Sequence, residues 1–366
     1  MKHGRAYVRI VALATVIAGA MMLPIGCGGA QDDSSTKSFL AFRRDNQIWT
    51  ARWDGMDQIQ LTNGFDASPA VSPDGKTIAY EHSEGDPRIP PLPANRQQMT
   101  EPGPSIGLYA IPSEGGQPKL VTPASWLTGS GWTPLSHTSR NPNWVKRNCI
   151  QPSFSPNGKT ICFIISDTAC YMNPSWPIPQ YRLAYLAIAT INADGTGEPK
   201  VLVTVDRGES QSINIMSPRF SPDGNEIYVS YSIAGSHWID KVPTRGGKLE
   251  RIEPGGKPNR SCYAFGISNE LEKVAVAFGT VIELMGMDAE DVDLIYAGPR
   301  PAELPITNEP LSFTLDGKRI AFASLNTGVG GTPRTPDIYS IPTKGGTPTM
   351  IISNGDQPCF GKMVSE

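Results

Sequence analysis

The chain has 366 residues, 39% of them hydrophobic and only 18% charged, with 37 glycines, 34 prolines and a net charge of −3. Disorder would need few apolar residues and a high net charge, so it is excluded. Nucleic acid is excluded as a partner, because phosphate binding needs concentrated Lys and Arg and no segment gathers them. Short, regularly punctuated apolar segments point to many strands and tight turns in one large all-β domain.

The N-terminus is different. Lys2, Arg5 and Arg9 form a cationic start, Ile10 to Leu23 is a largely apolar run of 14 residues, and Pro24-Ile25-Gly26-Cys27 follows. Fourteen residues fall short of the roughly 20 that span a bilayer as a helix, and the layout is that of a secretory signal peptide. Its ending resembles a bacterial lipobox, with Pro24 where leucine is usual, which makes Cys27 the expected lipidation site; ordinary cleavage nearby is the alternative. Loss of residues 1–26 removes Lys2, Arg5 and Arg9 and no acid, taking the net charge from −3 to −6. Residues 1–27 are therefore expected to be the signal with its lipid-bearing cysteine, 28–37 a polar tether, and 38–366 the folded domain.

Along that domain one phrase recurs. Ser68-Pro69-Ala70-Val71-Ser72-Pro73-Asp74-Gly75-Lys76-Thr77-Ile78-Ala79-Tyr80 returns as QPSFSPNGKTICF from Gln151, SPRFSPDGNEIYV from Ser217 and EPLSFTLDGKRIAF from Glu309, with a worn copy from Ser261 to Phe278. Each copy reads as a β-hairpin: proline presets φ, Asp or Asn caps the turn, glycine takes the left-handed position, and an alternating strand follows. A second hairpin accompanies the copies, turning at Asp54-Gly55, Gly115-Gly116, Asp194-Gly195, Gly246-Gly247 and Gly345-Gly346. Two hairpins make the four-stranded sheet of one propeller blade. Phe39 to Phe42 is a second strand lacking its first, and Gln357 to Gly361 a first strand lacking its second. Their pairing would close the ring and remove an exposed edge. The expected fold is an all-β, six-bladed β-propeller of four-stranded antiparallel blades, closed by N- and C-terminal strands in one blade.

The phrase resembles the propeller repeat of the TolB-type family, distantly like WD repeats, over roughly residues 38–361. The resemblance implies the propeller fold and an exported location, and by analogy protein binding. The α/β domain that precedes the propeller in TolB does not fit between Cys27 and Phe39, and the hydrolase domain of peptidases with similar propellers has no counterpart before Glu366.

Three segments exceed the lean blades: Glu84 to Ser105 and Ser166 to Arg182, each between second and third strands, and Ala124 to Ile150 between blades. Such loops leave a meander on one face, and the hairpin turns leave on the other. The expected binding face is the channel mouth they crowd, carrying Trp126, Trp132, Trp144, Tyr171, Trp176 and Tyr181, since aromatic side chains on loops combine area with a polar edge. Mutual packing of these rings is the alternative.

No Gly-x-Ser-x-Gly elbow, phosphate loop, dinucleotide fingerprint or metal-like spacing is present, so no catalytic residue, metal or cofactor is expected. His82, His137 and His237 read as surface or structural residues, and Asp288, Glu290, Asp291 and Asp293 as a solvated turn. Cys149 and Cys170, both assigned to insertions of one blade, are expected to form a disulfide. The functional expectation is an exported, lipid-anchored propeller, periplasmic or at the cell surface, that binds an envelope protein. Its alternative is a propeller that binds or cleaves polysaccharide at the aromatic mouth.

Overall fold

The computed structural model describes residues 38–85, 104–127, 144–173, 176–205, 213–252, 262, 264–298, 306–307, 309–325 and 335–363, of which 144–145, 169–182 and 184 are described by their backbone alone. Cys27 and the expected signal and tether lie outside these residues, as do Trp132 and His137. Among the described residues no helix is long and apolar enough to cross a membrane.

The strands form six antiparallel sheets. Blade 1 is ordered Asp356–Lys362, Ser38–Arg44, Gln47–Arg52, Ile59–Gln60. The last strand of the chain therefore pairs with its first, with Phe39 opposite Gly361, Leu40 opposite Phe360 and Ala41 opposite Cys359. Blades 2 to 6 follow in chain order, with first strands at Phe65–Val71, Cys149–Phe154, Ile213–Phe220, Ala264–Ser268 and Ser312–Phe313. Each first strand touches that of the next blade, and the cycle closes from blade 6 onto blade 1. The chain is a six-bladed propeller around a central channel.

Second strands explain the core. Their residues alternate between two neighbouring blades, so both faces are apolar. In blade 6, Ile320 and Phe322 pack toward blade 5 while Ala321 packs toward blade 1. In blade 3, Ile161, Phe163 and Ile165 face blade 2, and Cys162 and Ile164 face blade 4. The six hydrophobic clusters are the six blade interfaces. A ladder residue buried on both faces gives the near-continuous apolar runs seen in the sequence.

The recurring turn is a bonded unit. Ser72 Oγ donates to Asp74 Oδ1 at 2.6 Å, Asp74 accepts the Lys76 amide at 3.1 Å, and Ser72 Oγ accepts the Thr77 amide at 3.0 Å. Ser155/Asn157, Ser221/Asp223 and Thr314/Asp316 repeat the same bonds. Glycine is required at Gly75, where φ is +76° and a Cβ would lie 1.8 Å from the Lys362 carbonyl oxygen. Gly158 lies beside Pro73, Gly224 beside Pro156 and Gly317 beside Leu271. These turns thus meet neighbouring blades along one face, between blades 1 and 2, 2 and 3, 3 and 4, and 5 and 6.

The opposite face departs from expectation in blade 3. Ser166 to Arg182 is largely not loop: strands Thr160–Asn173 and Trp176–Asn192 stay paired out to Asn173 opposite Trp176. Second strands elsewhere have six to eight residues. At about 3.3 Å per residue this hairpin runs roughly 20 Å farther. Trp144–Lys146 pairs along its edge.

That ladder overturns the Cys149–Cys170 disulfide. Cys149 is opposite Ile165, and Cys170 is five residues farther along the same strand, opposite Trp144. Five strand residues span about 16 Å, far beyond the roughly 7 Å limit for bridged Cα atoms. Cys149 is a free, fully buried thiol, pushed up to about 12 by burial.

Candidate binding channel and loop-bearing face

The channel is shaped by a bulge repeated around the ring. Ser68, Gln151, Ser217 and Gln357, each followed by proline, have φ between 52° and 55°. The strand register shifts beside each of them. A bulge leaves one residue outside its own ladder. Its amide then bonds to a neighbouring blade: Ser68 N donates to Gln357 Oε1 at 2.7 Å, Gln151 N to Glu81 Oε1 at 2.9 Å, and Ser217 N to Gln151 Oε1 at 2.6 Å. Side chains of the ring therefore stitch blade 1 to 2, 2 to 3 and 3 to 4.

Ser68, Gln151, Ser217 and Gln357, with Arg219 and Glu309, line a small cavity in the channel. Its two sides differ in charge. On the side of blades 6 and 1, Glu309 is pushed up to about 7, chiefly by burial and then by Asp356. Burial also raises Glu81. Asp356 holds Arg43 through two bonds of 2.8 and 2.5 Å. Across the channel Arg219 of blade 4 donates to the Pro218 carbonyl at 2.8 Å. Sequence reasoning assigned none of these residues. The available signal was a polar side chain before proline at one repeat position, and Arg219 where other copies have Ala70, Ser153 and Cys359.

The expected aromatic site separates into parts. Trp144 and Tyr181 flank Cys170 in one cross-strand row of the blade 3 hairpin, with Tyr171 one residue on and Trp176 at its far end. Trp126 lies elsewhere. It sits in the short helix Ala124–Leu127, donates from Nε1 to Glu198 Oε2 at 2.8 Å, and lies 5.4 Å from the Arg147 guanidinium. It packs on the core between blades 2 and 3. Arg147 forms a two-bond ion pair with Asp167 at 3.0 and 2.9 Å, both side chains 4% exposed. That pair fastens the segment entering blade 3 to the root of the long hairpin.

His82 Nδ1 is 2.6 Å from Asp66 Oδ1, and that bond raises the imidazole pKa. In the acidic turn Asp288 accepts the Glu290 amide at 3.1 Å, and Asp293 lies 3.5 Å from Lys273.

No family model and no curated protein matches the chain. Among solved structures, TolB from Acinetobacter baumannii is similar over 89% of this chain and 67% of its own, at 17% identity and a TM-score of 0.56. Putative TolB from Agrobacterium tumefaciens covers 77% of this chain and 84% of its own, at 18% identity and a TM-score of 0.45. A chain of a nidogen/laminin complex covers 88% of this one and 98% of its own, at 9% identity and a TM-score of 0.53. These likenesses concern the fold: the chain has a propeller like that of TolB.

Proposed function

We propose that this chain is an exported, lipid-anchored propeller that binds a protein partner in the cell envelope through its loop-bearing face. The observation that carries the reading is the one-sided build of a rigid ring. Tight turns pave one face. The other carries the long hairpin of blade 3. Variable segments on a rigid scaffold are where binding residues concentrate. Lipid on Cys27 and a tether of residues 28–37 reach the ring at Ser38, which pairs with Lys362 beside the Gly75 turn. The anchor thus holds the turn-bearing face toward the membrane and leaves the loop-bearing face free for a partner, since ten flexible residues have a mean reach of about 18 Å.

The test places a photo-crosslinking residue at Trp176, at Tyr181, or at the turn positions Asp194 and Gly246, in cells carrying the native envelope. The reading requires a discrete protein adduct from the hairpin positions and none from the turns. Equal adducts from both faces, or adducts from the turns alone, contradict it.

A second reading, cleavage of polysaccharide, has one observation in its favour. Glu309 holds its proton near neutrality beside Asp356 and Glu81, and glycoside hydrolysis uses such a carboxyl as an acid. Release of reducing ends from envelope polysaccharide, lost in Glu309→Gln, would favour it over protein binding.

A further inference from the structure

We propose that the channel cavity is a receptor for a carboxylate group, anchored by Arg219 of blade 4. Two residues past the bulge, blades 1, 2 and 3 carry Cys359, Ala70 and Ser153. Arg219 replaces a small side chain with a guanidinium in a confined channel, and it lines the cavity. Its one hydrogen bond among the described residues goes to its own neighbour's carbonyl, Pro218 O. No described carboxylate pairs with it. The ionisable groups that act on it are Cys359 and Cys162, and burial raises both thiols, Cys162 to about 12, so neither supplies a negative charge at neutral pH. Desolvation correspondingly draws Arg219 down from the usual guanidinium value.

Glu309 does not fill the role. The charges acting on it are Asp356, Arg43 and Glu81, on its own side of the cavity. A confined cation without a counter-ion is costly, and a ligand that brings the missing charge removes that cost. The planar guanidinium fork matches a carboxylate through two parallel bonds. Two further donors line the same wall. Gln151 uses Oε1 to accept the Ser217 amide, which leaves its Nε2 hydrogens without a described acceptor, and the Ser217 hydroxyl likewise bonds no described residue. A monoanion is favoured over phosphate because Arg219 brings a single positive charge, which one carboxylate balances and a phosphate dianion exceeds.

This site stands independently of the envelope-partner reading. The test titrates the full chain by calorimetry, at fixed ionic strength, with acetate, inorganic phosphate, and triglycine bearing either a free or an amidated C-terminus. Saturable binding of acetate or free-acid triglycine is expected, with no binding of the amide and an affinity at least tenfold weaker in Arg219→Met, which keeps the volume. Tighter binding of triglycine than of acetate identifies a peptide terminus as the source, and the reverse a free small acid. Gln151→Glu places a carboxylate in the cavity while keeping the acceptor for Ser217. It should abolish carboxylate binding and raise the melting temperature in ligand-free buffer. The proposal is overturned if wild type binds none of the carboxylates, if phosphate binds better, or if Gln151→Glu leaves binding unchanged. Equal binding by a folded Arg219→Met variant overturns it too and makes Arg219 a plug of the channel.

Discussion

Replacing Asp167 with alanine should be among the most destabilising single changes near the loop-bearing face. The magnitude follows from burial. An exposed ion pair contributes about 0–1 kcal/mol, whereas removing one partner of a buried pair costs about 3–5 kcal/mol, because the other charge is left in a low-dielectric site. Asp167 and Arg147 are each 4% exposed and meet through two parallel bonds, so the larger range applies. The pair is not inherently favourable: desolvation outweighs Arg147 and leaves Asp167 raised. Replacing both with apolar residues, as Arg147→Met with Asp167→Leu, should therefore recover most of the loss. Urea unfolding followed by circular dichroism reads both variants, with slopes compared to confirm that the same surface is exposed. A cost below about 1 kcal/mol for Asp167→Ala, in the range of an exposed pair, would refute the reasoning. So would a double variant no more stable than the single one.

Three further outcomes are expected. Glu309 has a folded pKa of about 7 against an ordinary 4.5, so its neutral form stabilises the fold fully below pH 4.5 and that contribution is lost as pH rises through 7. Wild type should lose up to about 3 kcal/mol more than Glu309→Gln over that window, read from urea midpoints at each pH; parallel profiles would dismiss the assignment. Asp74→Ala removes the acceptor for the Ser72 hydroxyl and the Lys76 amide and should cost about 1 kcal/mol, while Asp74→Asn, matching Asn157 of blade 3, should cost much less. Because those bonds hold the Asp74 pKa below its ordinary 3.8, their contribution should be present above pH 3.8 and fade in stronger acid. Finally, Cys149 should resist iodoacetamide in the native protein at pH 8 and react in urea; a disulfide-linked Cys149–Cys170 peptide would contradict the strand register.

Much of the fold was legible because the signals are local. Ser72, Asp74 and Gly75 satisfy one another within six residues, so their copies announce each hairpin wherever they fall. Ring closure was legible for a related reason: Phe39 to Phe42 and Gln357 to Gly361 each lacked a partner, and an unpaired edge is costly. The channel site was not legible. Whether a first-strand side chain faces the channel or a neighbouring blade depends on the bulge, and one extra residue reverses the alternation on which sequence patterns rest. Gln151 and Arg219 therefore carried no signal in the strand alternation, and only their place in the repeat, at and two residues after the position before proline, marked them. The disulfide failed because Ser166 to Arg182 was read as a compact loop, in which Cys149 and Cys170 would be neighbours; as a ladder it separates them. Trp126 could not be told from the other loop aromatics, since its partners Glu198 and Arg147 lie 72 and 21 positions away.

The account rests on a ring closed by pairing of the strands Ser38–Arg44 and Asp356–Lys362. Ala41 and Cys359 are directly opposed in blade 1. Opposed residues of antiparallel strands have Cα atoms about 4.5–5.5 Å apart, within disulfide reach. Ala41→Cys should therefore form a bond to Cys359 under mild oxidation, detected by mass spectrometry as one linked peptide pair and accompanied by a higher melting temperature. A folded Ala41→Cys protein in which Cys359 stays free, or pairs with another cysteine, would contradict the closure of the propeller.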